Sequence, residues 1–125
     1  MQFQGLVEIR KSWSEKEFQA QVLAAARTLG WELQYHTYDS RRSQKGWPDL
    51  VLIHPEKRLL VIWELKTEKG IVGPDQLEWM HGLRGVLGGQ PNVLVGIRRP
   101  RDLDLMLKEL QGEFNHLERP VTQSA

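Results

Sequence analysis

The chain has 125 residues, 40% of them apolar, no cysteine and a formal net charge of +1, which suits one domain around a single modest core. A charge so near neutrality excludes a polycation whose whole surface attracts nucleic acid, so any anion-binding surface is local; the missing cysteines exclude disulfides, thiolate metal sites and cysteine nucleophiles. No run approaches the roughly 18 apolar residues of a membrane span and the N-terminus lacks a secretory apolar region, so the expectation is a soluble intracellular protein with no membrane association.

In chain order, "SWSEKEFQAQVLAAARTLGW" places Phe18, Val22, Ala25 and Leu29 on one helical face and stops at Gly30, which predicts a helix. Ser14 and Glu17 form a capping box, giving Glu17 a structural task; Glu15 has no such task and sits at the edge of the inward face. "WELQYHTYD" alternates as a strand and "SRRSQKG" is a basic polar loop. "DLVLI" and "RLLVIWELK" are two apolar strands whose short joint, "HPEK", makes them an antiparallel pair. Pro74 opens a second helix carrying Leu77, Met80, Leu83 and Leu87 at helical spacing; "NVLVGIR" is a buried strand and "RDLDLMLKELQ" a last helix. The order predicts an α/β domain, a mixed sheet flanked by helices, spanning 1–125 with a core of about 14–111 and a flexible tail from about 115 to 125.

Strand alternation puts Glu64 and Lys66 on one side and Trp63 and Leu65 on the other. Asp49 begins the partner strand, so the hairpin brings it beside Glu64 and Lys66. Two buried carboxylates cost several kcal/mol unless a positive charge compensates them. Asp49, Glu64 and the backbone carbonyl of Leu65, completed by waters, make an oxygen site for Mg2+ or Mn2+. Such an ion generates hydroxide near neutral pH and stabilises charge on a phosphoryl oxygen; Lys66 would position the water or bind the phosphate. A Glu and a Lys two apart on a strand are usually a solvated face, but the flanking "LLVIW" and Asp49 at the matching end of the neighbouring strand argue against that here.

"GWPDLVLI", "WELKTEKG" and "GPDQLEWM" together resemble the PD-(D/E)XK nuclease superfamily, in particular its VRR-NUC branch: Gly-x-Pro-Asp, Glu-x-Lys after an apolar gap, then a helical Gln. The resemblance covers Glu15 to about Arg98 and implies a restriction-endonuclease-like core of αβββαβ order. It implies that Asp49 and Glu64 bind metal, that Lys66 is the catalytic lysine, that Gln76 assists at the active site, and that Glu15 is a further acid near the metal. Helix capping is the plain alternative for Gln76, and a surface position for Glu15. The implied activity is Mg2+- or Mn2+-dependent hydrolysis of DNA, structure-specific on branched DNA of the Holliday-junction type. The implied setting is a homodimer without nucleotide cofactor, acting in repair or recombination in a bacterial cytoplasm or a phage-infected host. A non-catalytic binding module and a restriction-like duplex endonuclease are the alternatives.

For DNA contact the sequence offers the basic loop of Arg41, Arg42 and Lys45, and a second patch of Arg98, Arg99 and Arg101, since backbone affinity rests on local Lys and Arg. His36 leads toward the site and is a candidate phosphate contact. Trp47 is either core or a stacking platform for an unpaired base. His54, lacking a partner at metal spacing, reads as structural or as a surface residue.

Overall fold

The computed structural model describes residues 9–37 and 44–114; Arg41, Arg42 and the 115–125 tail lie outside them. Helix α1 (Glu15–Thr28) begins on the expected capping box: the Glu17 N–H donates to Ser14 Oγ and the Ser14 N–H to Glu17 Oε1, both at 3.1 Å. Strands β1 (Leu33–His36), β2 (Leu50–His54) and β3 (Leu59–Leu65) follow, then helix α2 (Pro74–Leu87), strand β4 (Val93–Arg98), a 3-10 turn at Pro100–Asp102 and helix α3 (Leu103–Leu110). The sheet runs β1-β2-β3-β4, the first two pairings antiparallel and β3 with β4 parallel. A parallel last pairing requires the chain to cross over, and α2 is that crossover. This is the α/β order expected, with a mixed sheet flanked by helices and compatible with a restriction-endonuclease-like core.

β1 is shorter than the alternation in the sequence suggests. Gly30 turns the chain at φ +93°, and the Trp31 N–H returns to the Ala26 carbonyl at 3.0 Å, so Trp31 closes the helix instead of opening the strand. Its buried indole donates to the Leu110 carbonyl at 2.8 Å. His54 is structural: Nδ1 accepts from the Lys57 N–H at 3.1 Å, which leaves Nε2 to donate to the Leu29 carbonyl at 3.1 Å. The last helix begins two residues later than its sequence suggests, because Pro100–Asp102 winds first as a 3-10 turn held by the Arg99 N–H on Asp102 Oδ2.

One face of the sheet packs Leu50, Leu52, Val61, Trp63 and Leu65 against Phe18, Val22 and Ala26 of α1 and against Met106 and Leu110 of α3. Ala26 takes the fully buried place expected of Ala25, because residues 18, 22 and 26 lie on one i, i+4 row; Ala25 and Leu29 are half-buried beside it. The other face packs Ile62, Val95 and Ile97 against Met80 of α2. β3 is therefore covered on both sides, which explains its continuous apolar run. Among the described residues no helix is long and apolar enough to cross a membrane.

Candidate active site

Register decides the centre of the site. Leu50 pairs with Trp63, so Asp49, one step before β2, faces Glu64, one step after Trp63. Each acid is held by the other's strand: the Asp49 N–H donates to Glu64 Oε1 at 3.2 Å, and the Leu65 N–H donates to Asp49 Oδ2 at 2.8 Å. Two backbone donors thus fix two carboxyls that would otherwise repel one another.

Glu64 is 1% exposed. Burial first, then the adjacent Asp49 charge, pushes its carboxyl up to about 9, against the pull of Lys66. Asp49 is also raised, chiefly by burial, while the Leu65 N–H and a hydrogen bond from the Glu64 carboxyl oppose the shift. The pair consequently keeps a proton at neutral pH. Lys66 is almost fully buried, with Nζ 3.8 Å from Glu64 Oε2; its backbone N–H donates to the Arg98 carbonyl at 3.0 Å.

Gln76 uses both ends of its amide. Oε1 accepts from the Gly73 N–H at 2.8 Å, capping α2, and Nε2 donates to Glu64 Oε2. Capping and contact with the acidic pair are one arrangement, because the cap turns the amide nitrogen toward β3. Glu15, the exposed first residue of α1, is raised by desolvation, opposed by Lys66 and reinforced by Asp49. It therefore shares the field of the cluster.

Among the described residues no three His, Asp or Glu side chains form a ready-made metal cage. The donor chemistry nevertheless fits a hard divalent cation. Asp49 and Glu64 present buried oxygens that only a proton or another positive charge reconciles, with Lys66 too far for a hydrogen bond. Two carboxylates and a main-chain carbonyl, with water completing the shell, suit Mg2+ or Mn2+.

A cleft of about 400 Å³ opens beside the pair, walled by Thr37, Lys45, Trp47, Asp49, Pro74 and Gln76. Its outer wall is the loop before β2, tied to α2 in three ways. Trp47 meets Trp79 edge to face at 5.1 Å, the Trp79 indole N–H donates to the Lys45 carbonyl at 3.1 Å, and Lys45 Nζ lies 3.2 Å from Asp75. Trp47 is thus half-buried packing that also lines the cleft. Lys45 is highly exposed, and His36 is half-buried opposite Leu50.

Of the second basic patch only Arg101 is exposed, and it is paired with Glu68. Arg98 is 4% exposed; it binds Glu109 in a fork, Nε to Oε1 at 2.9 Å and Nη2 to Oε2, and lies 5.7 Å from the Trp63 ring centroid. Arg99, at 5% exposed, binds main-chain carbonyls at Thr67 and Gly70. Neither guanidinium is available to a phosphate. The signal that could have shown this for Arg98 is Gly96, two residues earlier on the same strand face, where a Cβ would collide with the guanidinium. Glu109 was missed because it reads as an ordinary helical glutamate, although it falls three residues after Met106 on the buried side.

Gly46 is a close-approach position between the loop before β2 and α2. It sits at φ +88°, and a Cβ there would lie 2.6 Å from the Asp75 carbonyl oxygen. Gly46→Ala is expected to destabilise the protein by about 1–2 kcal/mol from the left-handed backbone alone. It should also push α2, and with it Gln76, off the loop that ends in Asp49. A thermal melt measures the destabilisation; an unchanged melting temperature would show that the loop and helix do not need this close approach.

A family model described as VRR-NUC domain matches residues 2–96. No curated protein and no solved structure matches the chain.

Proposed function

The chain belongs to the VRR-NUC domain family, a nuclease-type family, and from that premise we propose that it is a divalent-metal-dependent deoxyribonuclease acting on branched DNA. The observation that carries the reading is the cross-held pair of half-buried Asp49 and buried Glu64, flanked by Lys66 and Gln76. The upward push on the Glu64 carboxyl from burial and from Asp49 supports a place for a cation between the two acids.

Asp49, Glu64 and the Leu65 carbonyl would hold Mg2+ or Mn2+, with Glu15 at the margin. When bound, such an ion supplies Lewis acidity and a hydroxide near neutral pH. The chain's own residues do the rest. The two backbone N–H donors keep the carboxylates from turning away. Gln76 holds the second Glu64 oxygen in place, and Lys66 brings a point charge to the attacking water or to a non-bridging phosphate oxygen. Hydrolysis then joins the water oxygen to phosphorus and breaks the bond to the leaving sugar oxygen, which takes up a proton. Lys45, with Arg41 and Arg42 of the same loop, supplies backbone contacts. A homodimer would present two such centres to two strands of a junction in repair or recombination, inside a bacterial or phage-infected cell.

The test compares a four-way junction, a linear duplex and a single strand, each with Mg2+ or Mn2+ and with excess EDTA. Junction cleavage that stops in EDTA is expected. Undiminished cleavage in EDTA would remove the metal, equal rates on all three would remove the structure preference, and metal-supported binding without cleavage would favour a binding module on the same fold.

A further inference from the structure

The fate of Arg99 bears on Lys66. The residues after Lys66 form a turn, closed by the Gly70 N–H on the Thr67 carbonyl at 3.3 Å. Arg99 reaches this turn from the end of β4. Its Nη1 donates to the carbonyls of Thr67 at 2.8 Å and Gly70 at 2.7 Å, with a longer contact to Glu68 at 3.5 Å. Arg101 grips the outside of the same turn through Glu68, Nε to Oε1 at 2.8 Å and Nη2 to the carbonyl at 3.0 Å. A buried guanidinium needs its donors satisfied, and here Nη1 meets main-chain carbonyls where a phosphate was expected.

The turn in turn walls the lysine. A Cβ on Gly70 would stand 3.6 Å from Lys66 Cδ and 2.7 Å from Thr67 Oγ1, so the Gly70 backbone runs alongside the aliphatic stem. At the lysine's other end, Nζ sits 3.8 Å from Glu64. A four-carbon stem has many rotamers, and an ammonium that must meet one oxygen needs most of them excluded. The backbone of Lys66 is anchored on the Arg98 carbonyl, but that leaves the side chain unconstrained. The Thr67–Gly70 turn is what lies beside its stem.

We propose that Arg99 is a positioning residue for Lys66, holding the Thr67–Gly70 turn against the lysine stem so that the ammonium stays aimed at the acidic pair. The proposal rests on the nuclease reading for its catalytic consequence, whereas the packing of Lys66 does not depend on that reading.

Arg99→Ala and Arg99→Lys in the full chain test it with three measurements: the single-turnover rate at saturating Mn2+ and DNA, DNA affinity in Ca2+ as a function of salt, and the acylation rate of Lys66 by an amine-specific reagent, mapped by mass spectrometry with exposed Lys57 as the internal reference. For Arg99→Ala the expected result is a rate about ten- to a hundredfold lower, an unchanged salt slope, and faster acylation of Lys66 with Lys57 unchanged. Arg99→Lys, which keeps the charge but has one ammonium in place of the fork, should fall between, and it carries the same measurements if the alanine variant does not fold. A salt slope smaller by about one unit with an undiminished saturated rate would make Arg99 a phosphate contact and overturn the proposal. A lower melting temperature with rate and Lys66 acylation unchanged would reduce Arg99 to a fold brace and equally overturn it. A wild-type protein inactive on every DNA would remove the nuclease reading, yet the acylation arm would still decide whether Arg99 confines Lys66.

Discussion

Glu64→Gln is expected to lower cleavage at least about a thousandfold, a loss of roughly 4 kcal/mol of transition-state stabilisation, while the protein stays folded. The side chain keeps its shape, but the charge that pairs with Asp49 around a cation is gone. The amide is not neutral to the local network. Glu64 Oε1 accepts from the Asp49 N–H and Oε2 from Gln76 Nε2, so a glutamine must turn its NH2 toward one of those donors, at a cost of about 1 kcal/mol for the hydrogen bond lost.

The pH dependence has a defined sign. The Glu64 carboxyl is raised from 4.5 to about 9 in the folded protein, so the folded state binds the proton more tightly than the unfolded chain does. Its contribution to stability is fully present below pH 4.5 and is lost as pH rises through about 9. Thermal melts of the metal-free protein should therefore decline across that window, and Glu64→Gln should remove most of the decline, so that the variant is the less stable protein below pH 4.5 and the more stable one by pH 9. The same proton must leave when a cation enters. Calorimetry of Mn2+ binding at pH 7 in two buffers of different ionisation enthalpy should show proton release for wild type and none for Glu64→Gln. Parallel melting curves for the two proteins, or equal proton release, would show that Glu64 is not the protonated member of the pair.

Lys66→Ala is expected to reduce the single-turnover rate about a hundred- to a thousandfold while metal binding survives, since Asp49 and Glu64 remain. It should also displace metal binding toward higher pH, because Lys66 is the cation that draws the Glu64 carboxyl downward and its removal leaves burial and Asp49 less opposed. Lys66→Arg separates charge from placement. The lysine head is almost buried, 3.8 Å from Glu64, in a space walled by the Thr67–Gly70 turn, and a planar guanidinium cannot put a point charge at the same spot. Arginine should recover the pH of metal binding but little of the rate. If arginine restores nearly full activity, the lysine only offsets the acids; full activity in Lys66→Ala would take it out of the mechanism.

Much of this site was legible because it is built from local rules. The alternation of β3 puts Glu64 and Lys66 on one side, and a short joint makes β2 and β3 an antiparallel pair that brings Asp49 near them; the exact register is set by the turn lying at Pro55–Arg58, one residue beyond the expected "HPEK", so that His54 pairs with Leu59 and Asp49 faces Glu64. The capping box at Ser14 and Glu17 likewise needs only three residues of context, and it left Glu15 available. Gln76 was legible as either a cap or a site residue; that it caps α2 and also reaches Glu64 depends on where α2 docks, because only docking against β3 brings a Glu64 oxygen to the amide nitrogen.

The arginines mark where local reading ends. A run of arginines after a strand reads as a cationic surface, since a charge is exposed unless something distant pays its desolvation. For Arg98 the distant group is Glu109 on α3, and for Arg99 it is the carbonyls of Thr67 and Gly70. The sequence by itself determined the order of the elements, the pairing of β2 with β3 and hence the meeting of Asp49 with Glu64, because periodicity and short connections act between near neighbours. Only the tertiary structure decided how deeply Glu64 is buried, which amide end of Gln76 reaches it, and that Arg98 and Arg99 turn inward onto Glu109 and the Thr67–Gly70 carbonyls, because burial and charge pairing are properties of groups far apart in the chain that packing alone brings together.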